Sequence, residues 1–142
     1  MPATVREMLL GKPAVYSVGP GDTVFDALLL MADKNIGAVI VLSDQKIEGI
    51  FSERDYARKV ILLGKTSKET HVSEIMTTRV ICVEPGWTAD QCMALMTEKR
   101  IRHLPVVEQE RLIGVISIGD VVRAVVDEQR FTISSLQRYI TS

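Results

Sequence analysis

Two serines, each followed three residues later by an aspartate, are the groups in this 142-residue chain best placed to do chemistry: Ser52-Glu53-Arg54-Asp55 and Ser117-Ile118-Gly119-Asp120. Each closes a short apolar run, Gly49-Ile50-Phe51 in one case and Gly114-Val115-Ile116 in the other. At the start of a helix this spacing makes a capping box, in which the hydroxyl accepts a backbone N–H and the acid reaches back to the residue before the helix. The same corner offers free N–H groups and a partial positive charge, which suits a phosphate. Capping and ligand binding are compatible, and both stay open. Basic side chains lie close by. Arg54 and Arg58 are four residues apart and share one face of the expected helix, while Arg102 and His103 flank the corresponding corner further along. A guanidinium fork matches phosphate oxygens and is always charged. The competing reading is solvated surface charge, which is the expectation for Arg58, Arg79 and Arg100, while for Arg54 and Arg102 both readings stay open.

The elements that position these groups come in two copies. From Val15 to Tyr56 the chain repeats at a constant offset of 65 residues, so that Val15, Val18, Pro20, Gly21, Thr23, Leu30, Met31, Lys34, Ile36, Val41, Gly49, Ser52 and Asp55 each meet an identical residue. An upstream piece, VREML at 5–9 against VSEIM at 72–76, repeats at an offset of 67. A unit of roughly 60 residues buries too little apolar surface to be comfortable alone, so the copies are expected to pack face to face about a pseudo-twofold axis. Function is then expected in the two equivalent clefts at that seam.

Each copy reads as strand, helix, strand, strand, helix. In the first, VYSV (15–18) is a strand, Pro20-Gly21 a turn and Thr23 an N-cap for a helix through Lys34. AVIVL (38–42) and IEGIF (47–51) are strands about the turn SDQK, and a helix runs from Ser52 to about Leu63. The second copy follows as VICV, a helix from about Thr88 to Lys99, LPVV, a turn at Gln109-Glu110, RLIGVI and a helix opening at Ser117. Apolar runs with little alternation imply strands covered on both faces, hence an α/β fold. The expected organisation is a first repeat at 1–63, a polar linker GKTSKETH at 64–71, a second repeat at 72–127 and a helical extension at 128–142. The extension carries Phe131, Ile133, Leu136, Tyr139 and Ile140 as an uneven apolar stripe, to be covered by the pair itself or by a second subunit.

Composition narrows the function classes. The chain is 46% hydrophobic and 25% charged, as for a compact globular protein, and its formal net charge of −1 gives no overall field for nucleic acid. No stretch approaches the roughly 20 apolar residues that span a bilayer. The N-terminal segment already matches the repeat, which argues against a cleaved signal peptide. Cys82 and Cys92 lack metal-ligand spacing and read as reduced core cysteines. A cytoplasmic protein is the expectation.

The duplicated motifs resemble those of the cystathionine-β-synthase (CBS) domain family, specifically a tandem CBS pair or Bateman module, over nearly the whole chain. Three features carry the resemblance in each copy: the V-x-x-V-x-P-G-x-T opening, the apolar run preceded by Ile36-Gly37 or Ile101-Arg102-His103, and the G-h-h-S-x-x-D segment. FSERDYARKV and KRIRHLPVV are further similar to small stand-alone bacterial members. The resemblance implies that Asp55 and Asp120 hydrogen-bond the ribose hydroxyls of an adenosine group, with Ser52 and Ser117 beside the ribose or phosphate. It implies an adenine slot between the segment before a first strand, Thr78-Arg79-Val80 or Pro13-Ala14-Val15, and the segment before a second, Arg100-Ile101-Arg102-His103 or Asn35-Ile36-Gly37-Ala38. Ile36 and Ile101 are candidates to line that slot, with ordinary core packing as the alternative. Because Gly37-Ala38 stands opposite Arg102-His103, and Arg54 opposite Gly119, the two clefts are expected to differ in charge and affinity.

The function implied is a non-catalytic sensor for AMP, ADP, ATP or NAD(H), forming a homodimer and acting on a separate regulated protein. A ligand-free interaction scaffold is the alternative. An enzyme is disfavoured, because Asp55 and Asp120 fall in different clefts and no phosphate-binding Gly-Lys-Ser/Thr loop, dinucleotide fingerprint or metal cluster is present.

Overall fold

The computed structural model describes residues 2–141, with side chains described as far as Tyr139; Ile140 of the expected apolar stripe lies outside the described side chains. The elements run α1 (Val5–Leu9), β1 (Ser17–Val18), α2 (Val24–Lys34), β2 (Ala38–Ser43), β3 (Lys46–Ser52), α3 (Glu53–Tyr56), a π-helical turn (Ala57–Ile61), α4 (Val72–Ile75), α5 (Ala89–Lys99), β4 (His103–Glu108), β5 (Arg111–Ser117) and α6 (Ile118–Thr141). They form two compact units that do not follow chain order. One is residues 15–81, and the other joins residues 1–14 to 82–142. The opening segment of each repeat is thus part of the unit built on the other repeat's strands.

In the unit of residues 15–81, β1 pairs parallel with β2, and β2 antiparallel with β3. The β2–β3 hairpin closes through Asp44 (φ 50°) and Gln45 (φ 66°), the two successive positive-φ residues that a tight hairpin matching strand twist requires. Val24, Ala27 and Met31 face inward at helical spacing from α2 and pack with Val39, Val41, Phe51, Val60, Val72 and Ile75. Thr23 Oγ1 accepts the Asp26 N–H at 3.1 Å, and Asn35 ends α2 in the left-handed conformation. Residues 64–71 are no free tether. The carbonyls of Thr70 and Ser67 accept the Val24 and Phe25 N–H groups at 2.8 and 3.0 Å, satisfying donors at the start of α2, and Thr70 is buried.

The expected helix from Ser52 to Leu63 is divided. A single α turn, α3, gives way to the π turn, whose wider i→i+5 bonds include Leu62 N–H to the Ala57 carbonyl at 3.3 Å. Widening the turn changes the angular register after Tyr56, so Arg54 and Arg58 are not held at the α-helical spacing the sequence suggests.

The other unit repeats this frame. β4 and β5 form a hairpin through Gln109 (φ 52°) and Glu110 (φ 64°), and each hairpin has one register shift, between Val41 and Leu42 and between Val106 and Val107. Thr88 and Gln91 make a full capping box on α5, and Arg100, expected as surface charge, ends that helix at φ 55°. Where the first repeat has β1, the second has only a parallel bridge from Val83 to Val106, so the expected VICV strand is reduced to one pairing. Cys92 is buried, but Cys82 is exposed and is not a core residue. The helix opening at Ser117 and the expected final helix are one element, α6, of 24 residues. Its first half packs on α5 and α1. Phe131, Ile133, Leu136 and Tyr139 stay exposed, so the extension does not fold back onto the unit from which it grows.

Candidate ligand-binding corners

Both Ser-x-x-Asp motifs sit where a strand meets a helix, and both make the capping box. Ser52 N–H donates to Asp55 Oδ2 at 3.0 Å while Asp55 N–H donates to Ser52 Oγ at 3.2 Å. Ser117 N–H donates to Asp120 Oδ2 at 2.8 Å, and Asp120 N–H donates to Ser117 Oγ at 3.2 Å. The capping reading therefore holds at both corners. It uses one face of each carboxylate and leaves the other to further partners.

At the first corner β-sheet register brings candidates together. Ala38 lies opposite Ser52, and the Gly37 carbonyl accepts the Glu53 N–H at 3.1 Å. A segment from later in the chain closes the group. Thr77 and Ile50 exchange backbone hydrogen bonds at 2.9 Å in both directions, and Thr77 Oγ1 donates to Asp55 Oδ1 at 3.2 Å. Close approach here depends on Gly49, since a Cβ at that position would lie 2.8 Å from the Thr77 carbonyl oxygen. Lys59 Nζ reaches Asp55 Oδ1 at 3.2 Å and also donates to the Ile75 carbonyl at 3.2 Å. Asp55 is buried. Of the neighbouring candidates, Thr78 is exposed and Val80 half-buried, so the hydroxyl that meets the carboxylate is that of Thr77. Arg54 and Arg58 are exposed and are not brought to Asp55.

Beside this corner a cavity of about 510 Å³ is lined by Leu28, Met31, Ala32, Asn35, Ile36, Gly37, Glu53 and Tyr56. It takes in two candidates, Ile36 and Gly37, but neither Ser52 nor Asp55. Its volume falls within the range of small-molecule sites.

At the second corner His103 lies opposite Ser117, and the Arg102 carbonyl accepts the Ile118 N–H at 2.8 Å, repeating the frame of Ala38 and Gly37. The partners of the acid differ. Lys12 Nζ donates to Asp120 Oδ2 at 2.5 Å, and Arg123 donates to Asp120 Oδ1 at 2.7 Å. Burial opposes the Asp120 charge, yet the hydrogen bonds from Lys12 and Ser117 outweigh it and hold the carboxyl below its ordinary range. Burial, followed by the Lys12 charge, pushes the His103 imidazole down, which keeps it neutral near pH 7. Ile101 is half-buried and Arg102 exposed. Sequence reasoning missed Lys12, Lys59, Thr77 and Arg123. The repeat pointed to one of them, since Arg123 stands at the register position of Arg58.

The CBS domain family model matches residues 5–61 and 72–127, one span on each repeat. The chain belongs to the CBS domain family. A solved CBS-domain protein from Burkholderia ambifaria MC40-6 is 52% identical with a TM-score of 0.86, covering 89% of this chain and 96% of that one. CBSX3 of Arabidopsis thaliana, a mitochondrial CBS domain-containing protein, is 47% identical over 84% of this chain. This chain spans 60% of the length of CBSX3. YhcV of Bacillus subtilis, another CBS domain-containing protein, is 33% identical over 75% of each chain. The fold is also that of the CBS domain pair of protein MJ0100, solved with 5′-methylthioadenosine and S-adenosyl-L-methionine, at 22% identity and a TM-score of 0.77 over 90% of this chain and 99% of that one. No helix among the described residues is long and apolar enough to cross a membrane, and no group of three or more metal-ligating side chains occurs among them.

Proposed function

We propose that this protein is a non-catalytic sensor that binds an adenine nucleotide, AMP, ADP, ATP or NAD(H), at its duplicated Ser-x-x-Asp corners. The observation that carries the reading is that each Asp presents a carboxylate already fixed by its capping box, with hydroxyl or cationic groups around its remaining face. A preset carboxylate is an acceptor for vicinal sugar hydroxyls, and the surrounding cations suit phosphate. A family member of the same fold holding two adenosine-bearing ligands supports the adenosine group. Arg54, Arg58 and Arg102 are exposed, as phosphate-reading side chains at the rim of such a site would be. The chemistry is that of binding: each aspartate is engaged by its own capping box and its own cation.

Nucleotide would act by preferring one arrangement of the protein, since a ligand moves an equilibrium only by its differential affinity. The partners are a second copy of this chain and a separate regulated protein in the cytoplasm. The exposed Leu29, Ile61, Leu62 and Leu63 in one unit, with Val122, Val126, Phe131, Ile133 and Leu136 along α6, support a homodimer. The Cys92 thiol, pushed up to about 11 by burial, suits a reduced core cysteine. Mass spectrometry of small molecules released by denaturing the purified protein tests the ligand reading. An adenine nucleotide is expected. Its absence, together with no calorimetric heat on adding AMP, ADP, ATP or NAD, would sink the reading in favour of a ligand-free scaffold. Sedimentation should show a dimer, and a monomer at every concentration would remove the second copy.

A further inference from the structure

The Asp120 carboxylate is occupied. Oδ2 takes the Ser117 N–H and the Lys12 ammonium, and Oδ1 takes the Arg123 guanidinium, so of about four acceptor sites one remains and a vicinal pair of sugar hydroxyls must displace at least one cation. Its two cations are held differently from Lys59, the cation at Asp55. Lys59 is four residues from Asp55 on the same helical stretch and is tied a second time to the Ile75 carbonyl. Lys12 lies 108 residues from Asp120, on the irregular stretch between α1 and β1, with Gly11 before it at φ 80° and Pro13 after it. The Arg123 side chain is 72% exposed, whereas that of Asp120 is 11% exposed. Arg102 and His103 stand at the same corner, and both Lys12 and Arg102 are near enough to disfavour a charge on the imidazole. Two permanent cations thus hold one carboxylate, and a third, Arg102, lies beside the neighbouring imidazole. The cluster has positive charge to spare, and an exposed cation is easily re-aimed.

We propose that Lys12 and Arg123 are a phosphate-released latch on Asp120: they compete with sugar hydroxyls for the carboxylate, and the phosphate of a nucleotide draws them off so that Asp120 can accept both hydroxyls. This rests on the nucleotide-binding reading and deepens it by assigning the site's selectivity. A neutral nucleoside has nothing to offer a displaced cation and must break at least one ion pair to seat both sugar hydroxyls on the acid. A phosphorylated nucleoside exchanges one set of charge-assisted bonds for another. The corner at Asp120 is therefore selective for nucleotides over nucleosides, and Lys12 and Arg123 are the residues that make it so.

Calorimetry on the full chain with AMP and with adenosine tests this, comparing wild type with Asp120→Asn, Lys12→Met, Lys12→Gln and Lys12→Arg. The AMP-binding component lost in Asp120→Asn identifies the site. At that site Lys12→Met and Lys12→Gln should each narrow the AMP-to-adenosine affinity ratio by about tenfold or more, the scale of one hydrogen bond to a charged group. Adenosine should gain and AMP should lose, while Lys12→Arg keeps the ratio. An unchanged ratio in both neutral variants, or no component lost in Asp120→Asn, overturns the latch while leaving nucleotide binding in place. If neither ligand binds wild type or any variant, nucleotide binding itself falls and the latch falls with it.

Discussion

The corners at Asp55 and Asp120 share a backbone and differ in charge. Both have the capping box, a threonine-capped helix before them, a left-handed residue ending that helix at φ 55°, and a hairpin closed by two positive-φ residues. The residues that touch the acids do not repeat. Lys59, which holds Asp55, stands at the register position of Ala124; Arg123, which holds Asp120, stands at that of Arg58, which is exposed; and Lys12 falls where the offset of the repeat changes from 67 to 65. Asp55 is fastened by a hydroxyl and by an anchored lysine. Asp120 is held by two cations, one brought from a distant stretch of chain and the other well exposed. Duplication thus preserved the hydrogen-bonded frame, which any change would break, and let the side chains around it diverge into two unequal binding corners.

The largest effects should come from the glycines that admit each repeat's opening segment. At Gly49 an added Cβ meets the Thr77 carbonyl oxygen at 2.8 Å and Met76 Sδ at 2.7 Å, while at Gly114 it meets only the Leu9 side chain, at 2.5 Å. Backbone cannot turn aside, whereas a leucine tip can. Gly49→Ala should destabilise by about 2–3 kcal/mol and Gly114→Ala by about 1 kcal/mol, within the range for overpacking. Chemical denaturation of both variants checks the order, and equal losses would mean that the two corners are equally rigid.

Next come the acids themselves. Asp120→Ala and Asp55→Ala should each weaken adenine-nucleotide binding at their own corner by about 1.5–3 kcal/mol, as for hydrogen bonds to a charged group. Their stability effects should differ in kind. Asp55→Ala leaves the half-buried Thr77 hydroxyl without its acceptor and Lys59 with only the Ile75 carbonyl, whereas Asp120→Ala frees an exposed Arg123 and a part-exposed Lys12. Asp55→Ala should be the more destabilising, by about 1 kcal/mol. Thr77→Val, which removes one hydroxyl and keeps the volume, should cost about 1 kcal/mol and leave the other corner's nucleotide affinity untouched. Affinity at Asp120 falling in parallel would show that the corners are not independent.

Much of this was legible in the sequence because it is local. Thr23 and Thr88 as caps, the Asp44-Gln45 and Gln109-Glu110 turns and the two capping boxes each follow from residues within four positions of one another. What was not legible came from non-local partners. The polar stretch 64–71 reads as a linker, and nothing in it announces that its carbonyls satisfy the start of α2. The π turn after Tyr56 leaves no mark in residue spacing, so Arg54 and Arg58 were given a shared face on α-helical geometry. The cation at Asp120 is 108 residues away and is visible only once the fold brings α1's trailing segment to α6. The uninterrupted α6 reads as two helices because the repeat ends inside it while its helical signal does not.

The smallest expected effect separates the corners by acidity. His103 occupies the register position of Ala38, and burial together with the Lys12 charge lowers its pKa below the ordinary value of 6.5. A group with a depressed folded-state pKa binds fewer protons folded than unfolded in the window between the two values. Stability is therefore full above about pH 6.5 and is lost as pH falls through the folded-state value. Asp120, also depressed, repeats the pattern from its ordinary value of 3.8 downward. The wild-type protein should thus lose stability in two steps on acidification, the first assigned to His103. His103→Ala, which copies the first repeat, should lower the melting temperature at pH 8 through lost packing yet flatten its fall between pH 7 and pH 5. The slope is the readout, because packing loss shifts the whole curve and only the imidazole changes its steepness. A slope in His103→Ala as steep as in wild type would place the acid sensitivity elsewhere and remove the imidazole from the difference between the corners.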